Sequence, residues 1–229
     1  MRILQIHNKY QIAGGEDVLF LAEHNMLVEH GHIVEKLYFD NKVISATWLS
    51  KLKTGIQSIF NWSSAKIVQQ TITDFKPDII HVQNFFPLLS PSVFFVANRN
   101  NIPIVATINN YRLICANAIL YRNHHVCEVC VKKIIPIDGI MHKCYHNSVI
   151  QSAAVTLMSS IHKILGTWRN RVDMYIIAMT DYGREVFINS SLSLPFNKCS
   201  VKPNFVYDPG EGEQIREHFY VFFARLTEE

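Results

Sequence analysis

The chain has 229 residues, 48% of them hydrophobic and 18% charged, with a formal net charge of +3. That length holds one large domain, or one domain with part of a second, and the composition excludes a disordered chain. No 18-residue apolar run offers a membrane span, and Gln5 and His7 interrupt the N-terminal apolar residues, so a secretory leader is not expected.

Strand and helix patterns alternate over the first two-thirds. Arg2 to Asn8 reads as a strand, Gln11 to Gly15 as a turn, and Glu16 to Glu29 as an amphipathic helix. Val18, Leu21, Ala22, Met26 and Val28 form the expected apolar face of that helix, and Gly31 supplies its stop. A strand follows at Ile33 to Phe39, then helices near Trp48 to Phe60 and Ser64 to Phe75. Asp78 to Val82 is a short apolar run suited to a strand buried on both faces. Gln83 to Pro87 is expected to break it, and Ser90-Pro91 to open a helix with a hydroxyl cap and a proline in its first turn. That helix runs to Asn100, and a strand follows at Pro103 to Ile108.

Regularity lapses between Asn109 and Asn147. A helix is expected from Ser148 to Arg171, a strand at Met174 to Met179, a helix at Asp181 to Asn189 and a short strand at Cys199 to Lys202. After a Gly/Pro/acid-rich link from Asp208 to Glu213, Phe219 to Ala224 reads as a further strand. The fold class expected is α/β: a Rossmann-like, doubly wound parallel sheet with right-handed crossovers and an irregular, cysteine-containing insertion at 109–147. Ligands of such sheets bind outside the carboxyl ends of the strands. His81, Asn84 and the Phe85-Phe86 pair are placed at that edge.

Charge and cysteine are unevenly spread. Between Arg112 and Arg171 there are eight Lys/Arg against two acids, a local excess of six positive charges in a chain whose total is +3. Such a segment favours an anionic partner: phosphate, nucleic acid or a membrane surface, the last giving peripheral contact at the inner face of the membrane by an otherwise cytoplasmic protein. A nucleic-acid partner is not expected, because aromatic and basic residues are not interleaved as in base-stacking surfaces. Four of the five cysteines fall in the insertion, as Cys115-x11-Cys127-x2-Cys130-x13-Cys144. One Cys-x2-Cys flanked by two single cysteines suits a structural zinc site, with His124, His125, His142 and His146 as alternative ligands. Cys199 lies in a predicted strand and reads as a small buried apolar residue.

Five segments, in order and spacing, resemble glycosyltransferase family 4. They are Met1 to Asn8 with Gly14-Gly-Glu-Asp17, Lys76 to Pro91, Pro103 to Cys115, Val201 to Val206, and Phe222 to Glu229. The resemblance implies a GT-B fold of two facing Rossmann-like domains. The first holds mainly the acceptor, the second mainly the nucleotide-sugar donor. It implies a retaining transfer with no metal ion or other cofactor in the chemistry. It assigns residues 1–206 to the acceptor-binding domain and 207–229 to the interdomain link and first strand of a donor-binding domain, so that this chain alone is expected not to turn over. The setting it implies is bacterial surface polysaccharide assembly, with a glycan or lipid-linked glycan as acceptor; a non-catalytic sugar- or partner-binding protein is the alternative.

The residues that the resemblance brings to the cleft are Gly14, Gly15, Glu16, His81, Asn84, Asn110, Tyr111 and Arg112. Asn109 stands where the family usually has a histidine near the reacting centre, and Gln83 stands where a second histidine is usual. An amide positions a hydroxyl but takes no proton. Arg112 is suited to a phosphate or carboxylate, through the planar fork of its guanidinium.

Overall fold

The structure, a computed structural model, describes residues 1–11, 14–45, 47–208 and 210–211. The predicted strand at Phe219 to Ala224, and with it the expected start of a second domain, lies outside the described residues.

The chain runs β1 (Arg2–Lys9), α1 (Gly15–Glu29), β2 (Ile33–Asp40), α2 (Trp48–Ile59), α3 (Trp62–Phe75), β3 (Ile79–Asn84), α4 (Ser92–Arg99) and β4 (Ile104–Ile108). The insertion carries a small hairpin, β5 (Tyr121–Arg122) and β6 (His125–Val126), and one helical turn, α5 (Asp138–Met141). Then come α6 (Val149–Ile164), α7 (Thr167–Asn170), β7 (Met174–Ile177), α8 (Asp181–Ile188) and β8 (Cys199–Val201).

Six strands form one sheet in the order β2-β1-β3-β4-β7-β8, and every pair in it is parallel. The fold is α/β and Rossmann-like, as the alternation of strand and helix predicts. Ile3 to Asn8 of β1 are all buried, so both faces of this strand are covered. Polar Gln5, His7 and Asn8 are therefore buried along with Ile3, Leu4 and Ile6, with no alternation between a wet and a dry face. Leu4, Ile6, Ile80, Val82, Ile104 and Ala106 form the centre of the core, with Phe94, Trp168 and Phe187 from the helices packed around them.

Several expected boundaries move for local reasons. β3 continues through Gln83 and Asn84, because both amides find partners inside the sheet edge. α4 begins at Ser92 with Pro91 as its cap residue; the Ser90 hydroxyl accepts from Asn61 N–H at 2.9 Å and from Ser92 N–H at 3.3 Å. The long helix expected to reach Arg171 stops at Ile164. Gly166, at φ +63°, turns the chain before α7 starts. On α1 the buried residues are Leu19, Phe20 and Glu23, whereas Val18, Leu21 and Val28 are exposed. Phe20 decides that face, stacking on His7 at 5.0 Å and meeting Tyr38 at 5.1 Å. The insertion is tied to the core through buried Leu113, Ile114, Leu120 and Val131, and Leu113 C=O accepts from Ser159 at 2.7 Å.

Candidate functional site

The strand order places β2 and β3 on opposite sides of β1, so the direction of winding reverses between β1 and β3. Crevices at such reversals, on the carboxyl edge of the strands, are where open α/β sheets hold ligands. The pairing of these strands slips there: Ile6 faces Val82, but His7 faces Asn84, leaving Gln83 as the extra residue. A slip of this kind re-aims side chains at a sheet edge. The Gln83 amide turns inward to Glu23, while Asn84 stays at the rim, donating to Asn8 C=O at 2.8 Å and accepting from Phe86 N–H at 3.1 Å.

A cleft opens over the ends of β3 and β4. Glu16, Asn84, Phe86, Asn109, Asn110 and Arg112 are among the residues that line it. Asn109 follows directly on β4, and its Oδ1 is buried without a hydrogen-bond partner among the described residues. Asn110 is committed: its amide reaches Glu16 at 3.3 Å and its oxygen accepts from Arg112 N–H at 3.1 Å. Glu16 also accepts from the Tyr10 hydroxyl at 2.8 Å. Burial pushes the Glu16 carboxyl above its usual range, and the hydrogen bonds from Tyr10 and Asn110, with the Arg112 charge, partly offset this. The Tyr10 hydroxyl is held protonated, first by burial and then by the Glu16 charge beside it.

Arg112 crosses this cleft. Its guanidinium lies 5.0 Å from the ring centre of Phe86 and 4.9 Å from that of Tyr145, and it donates weakly to Ala116 C=O at 3.4 Å. It makes no salt bridge among the described residues. The two aromatic faces hold the guanidinium plane while leaving its remaining donors uncommitted.

A larger cleft of about 690 Å³ adjoins the first, with Phe86 in the wall of both. Tyr10 and Asn41 come to it from the ends of β1 and β2, Lys51 from α2, Tyr145 and His146 from the insertion, and Gln151 from α6. The volume, the aromatic rings and the scattered amides suit a ligand of sugar size that presents hydroxyl groups. Beside it, α2 exposes Trp48, Leu49, Leu52 and Ile56 together with Lys51 and Lys53.

The other expected residues lie elsewhere. His81 is buried below the edge, 2.8 Å from the Thr107 hydroxyl and 3.9 Å from the Glu23 carboxylate, and belongs to the polar interior of the sheet. Tyr111 stacks on Phe187 at 5.5 Å and binds the insertion to α8. The N–H of Gly14 donates to the Asp17 carboxylate at 2.9 Å, which caps α1, and Asp17 in turn lies 3.0 Å from His7. Gly15 is exposed, and a side chain built there would meet nothing within 4 Å.

The five cysteines are free thiols. Among the described residues, no three His, Cys, Asp or Glu side chains are placed to hold a metal ion as they stand. Burial pushes the Cys130 thiol up to about 11, and the neighbouring Cys115, Asp138 and Cys144 push the same way. Cys199 is buried in β8, as expected.

Residues missed in the sequence include Tyr10, Glu23 and Lys202. Lys202, just past β8, reaches back to Glu23 on α1 at 2.5 Å, closing a buried polar chain with Gln83 and His81. Glu23 carried no signal, because a helix glutamate reads as surface by default. Lys202 did stand in one of the five recognised segments.

No known protein-family profile matches the chain. An uncharacterized 42.6 kDa protein of the cps region of Klebsiella pneumoniae is 27% identical, over 98% of this chain and 60% of that protein. The chain thus spans about 60% of the length of that relative. A UDP-N-acetylglucosamine 2-epimerase from Rickettsia bellii aligns in three dimensions over 89% of the chain and 45% of its own, at 13% identity and a TM-score of 0.47. MurG of Acinetobacter baumannii aligns over 91% of the chain and 69% of its own, at 12% identity and a TM-score of 0.32. Structural likenesses of this size carry nothing about activity. No helix among the described residues is long and apolar enough to cross a membrane.

Proposed function

We propose that this domain holds the acceptor of a retaining, nucleotide-sugar-dependent glycosyltransferase, with a glycan or glycolipid of surface polysaccharide assembly as the acceptor. The observation that carries the proposal is the pairing of the two clefts at the carboxyl edge of the sheet. One offers a buried amide oxygen at Asn109 with no hydrogen-bond partner, and a guanidinium at Arg112 with no carboxylate partner, among the described residues; the other has room for a sugar. Asn109 orients a hydroxyl of the reacting sugar or acceptor. It takes no proton; in a front-face, retaining transfer the departing phosphate of the donor accepts the acceptor's proton. The cps-region relative fits the polysaccharide setting. The exposed apolar and basic face of α2 fits an acceptor presented at an anionic membrane surface. Donor binding falls mainly to a second domain, of which residues 207–229 would be the start.

The presence of asparagine at 109 favours one other reading, a non-catalytic sugar-binding protein built on the same fold. Both readings meet in one experiment. Residues 1–229 are mixed with anionic vesicles, with and without a polyprenyl-linked saccharide, and UDP-sugars are then added. Binding to the glycolipid-bearing vesicles and no transfer are expected. Robust transfer would overturn the two-domain assignment, and equal indifference to both kinds of vesicle would remove the acceptor reading.

Asn109 separates the readings further. In a form of the protein that transfers sugar, Asn109→Ala should lower turnover by roughly tenfold or less, since one neutral hydrogen bond is worth about 0.5–1.5 kcal/mol. Asn109→His should keep or raise turnover. An Asn109→His protein that folds normally but is inactive would show that the family's geometry is not kept at this position.

A further inference from the structure

Large apolar side chains stand in solvent along three neighbouring elements, and neither cleft accounts for them. α2 exposes Trp48, Leu49, Leu52 and Ile56, while Ser58 is buried and Gly55 packs on α6. An amphipathic helix of a soluble domain does the reverse, hiding its apolar side. On α6, Ile150, Leu157 and Ile164 are each more than half exposed and recur every seven residues, so they form one stripe along the helix. The insertion adds Ile134, Ile135, Ile137 and Met141, all more than half exposed.

Packing gathers these residues on one side of the domain. A side chain at Gly55 would come within 3.0 Å of Ala154 Cβ, and the His162 ring donates to Ile59 C=O at 2.8 Å, so α2 runs along one flank of α6. The insertion holds the other flank. A side chain at Gly139 would meet Thr156 Oγ1 at 3.4 Å, and Lys163 Nζ donates to Lys133 C=O at 3.1 Å. At about 100° per residue, positions 154 and 162 point to one side of the 150–157–164 stripe and positions 156 and 163 to the other, each about 100° away. The stripe therefore runs between α2 and the insertion, and the three make one outer surface.

Charge follows the same surface. Residues 41–61, which lead into and build α2, contain three lysines and no acid. Residues 129–172, from the insertion through α7, contain six Lys/Arg and one acid, Asp138, which pairs with Lys133 at 2.7 Å. The two stretches hold nine cations against one acid, out of 22 against 19 in the chain, which leaves thirteen against eighteen elsewhere. The rest of the chain is thus net negative while these stretches are strongly positive.

We propose that α2, the outer stripe of α6 and the insertion form one docking face for an anionic lipid bilayer. The apolar side chains enter the boundary between headgroups and acyl chains, and the lysines around them meet lipid phosphate. A second copy of this chain would bring two positive faces together, so charge disfavours self-association as the way to cover this surface. The same three elements wall the larger cleft, through Lys51, Gln151 and Tyr145, so docking holds that cleft at the headgroup layer. The face is separable from the acceptor reading, because it binds bare lipid whatever the cleft accepts.

Cosedimentation of residues 1–229 with vesicles of equal parts phosphatidylglycerol and phosphatidylcholine, and with phosphatidylcholine alone, tests this without any saccharide present. Affinity roughly tenfold or more higher for the anionic vesicles is expected. Leu52→Glu/Ile56→Glu on α2, Ile150→Glu/Leu157→Glu on α6 and Ile134→Glu/Ile137→Glu in the insertion should each weaken it by roughly tenfold or more. All three double variants should keep the parent's affinity for glucose 1-phosphate, which reports an intact fold and cleft. Trp48 gives a second readout. In Trp62→Phe, with Trp168 buried, Trp48 is the one exposed indole, and brominated lipid in anionic vesicles should quench it. No binding, or equal affinity for the two vesicle types, would overturn the docking face. Apolar-face variants that bind like the parent would also overturn it, since adsorption would then be by charge alone. A dimer in sedimentation velocity that these variants dissociate would overturn it in favour of a second copy. Glucose 1-phosphate binding that persists in any of these cases would show that the docking face has failed alone, with the acceptor cleft intact.

Discussion

Replacing Lys202 by methionine should destabilise the domain by about 3 kcal/mol at pH 8, more than any single change at the cleft rim. Breaking a buried pair from one side typically costs about 3–5 kcal/mol, because the partner charge is stranded. Here the stranded group is Glu23, whose side chain is 3% exposed, while Lys202 is 36% exposed. Solvent screening of the exposed lysine places the expected loss at the low end of that range. The effect should depend on pH. Burial holds His81 below its ordinary value of 6.5; the Glu23 charge raises it and the Lys202 charge lowers it. Removing Lys202 therefore lets His81 protonate at higher pH in the folded variant. Because the folded ring resists protonation, the parent loses stability as pH falls through the unfolded value near 6.5, and the variant, whose His81 protonates more readily beside Glu23, loses less. Urea denaturation should accordingly show a smaller deficit at pH 6 than at pH 8. Adding Glu23→Gln should restore most of the loss at both. A deficit under about 0.5 kcal/mol at both pH values would mean that the pair is solvent-screened and structurally idle.

This polar chain marks where sequence reasoning stops. The parallel sheet was legible because β3 and β4 open on short apolar runs bounded by turn-forming residues, a local signal. Asn109 and Arg112 were legible as cleft residues because any residue following a strand in such a sheet emerges on the same edge. His81 was misplaced because a strand position does not say which side of the rim a ring lies on. The one-residue slip between β1 and β3 decides that Gln83 turns toward Glu23 and that Asn84 stays at the rim, and nothing in either strand alone encodes the slip. The buried face of α1 was misread for a related reason. Val18 and Leu21 are as apolar as Leu19, and only the tertiary contact of Phe20 with His7 selects which stripe faces the sheet. The break at Gly166 was the more readable miss, since a glycine late in a helical run is a common stop.

Arg112→Ala should lower the affinity of residues 1–229 for a sugar phosphate, with glucose 1-phosphate as the probe, by about 10- to 100-fold. That range corresponds to about 1.5–3 kcal/mol for hydrogen bonds to a charged group. The guanidinium already sits between Phe86 and Tyr145 and has no carboxylate partner among the described residues, so little ordering remains to be done when an anion arrives. Arg112→Lys keeps the charge but loses the planar fork and the double stacking, so its affinity should fall between those of the parent and the alanine variant. Binding to the parent should weaken as salt is raised, and the alanine variant should show a flatter salt dependence, because the charge doing the attracting is gone. A structural role makes the opposite forecast. Were Arg112 only a strut between the β3–α4 loop and the insertion, the alanine variant would lose about 1–2 kcal/mol of stability through its two aromatic contacts and leave phosphate binding untouched. Isothermal titration and denaturation on the same three proteins separate these outcomes. Unchanged affinity with lowered stability would remove the anion from the cleft, and with it the strongest charge-based reason for placing a nucleotide sugar or a phospholipid-linked acceptor there.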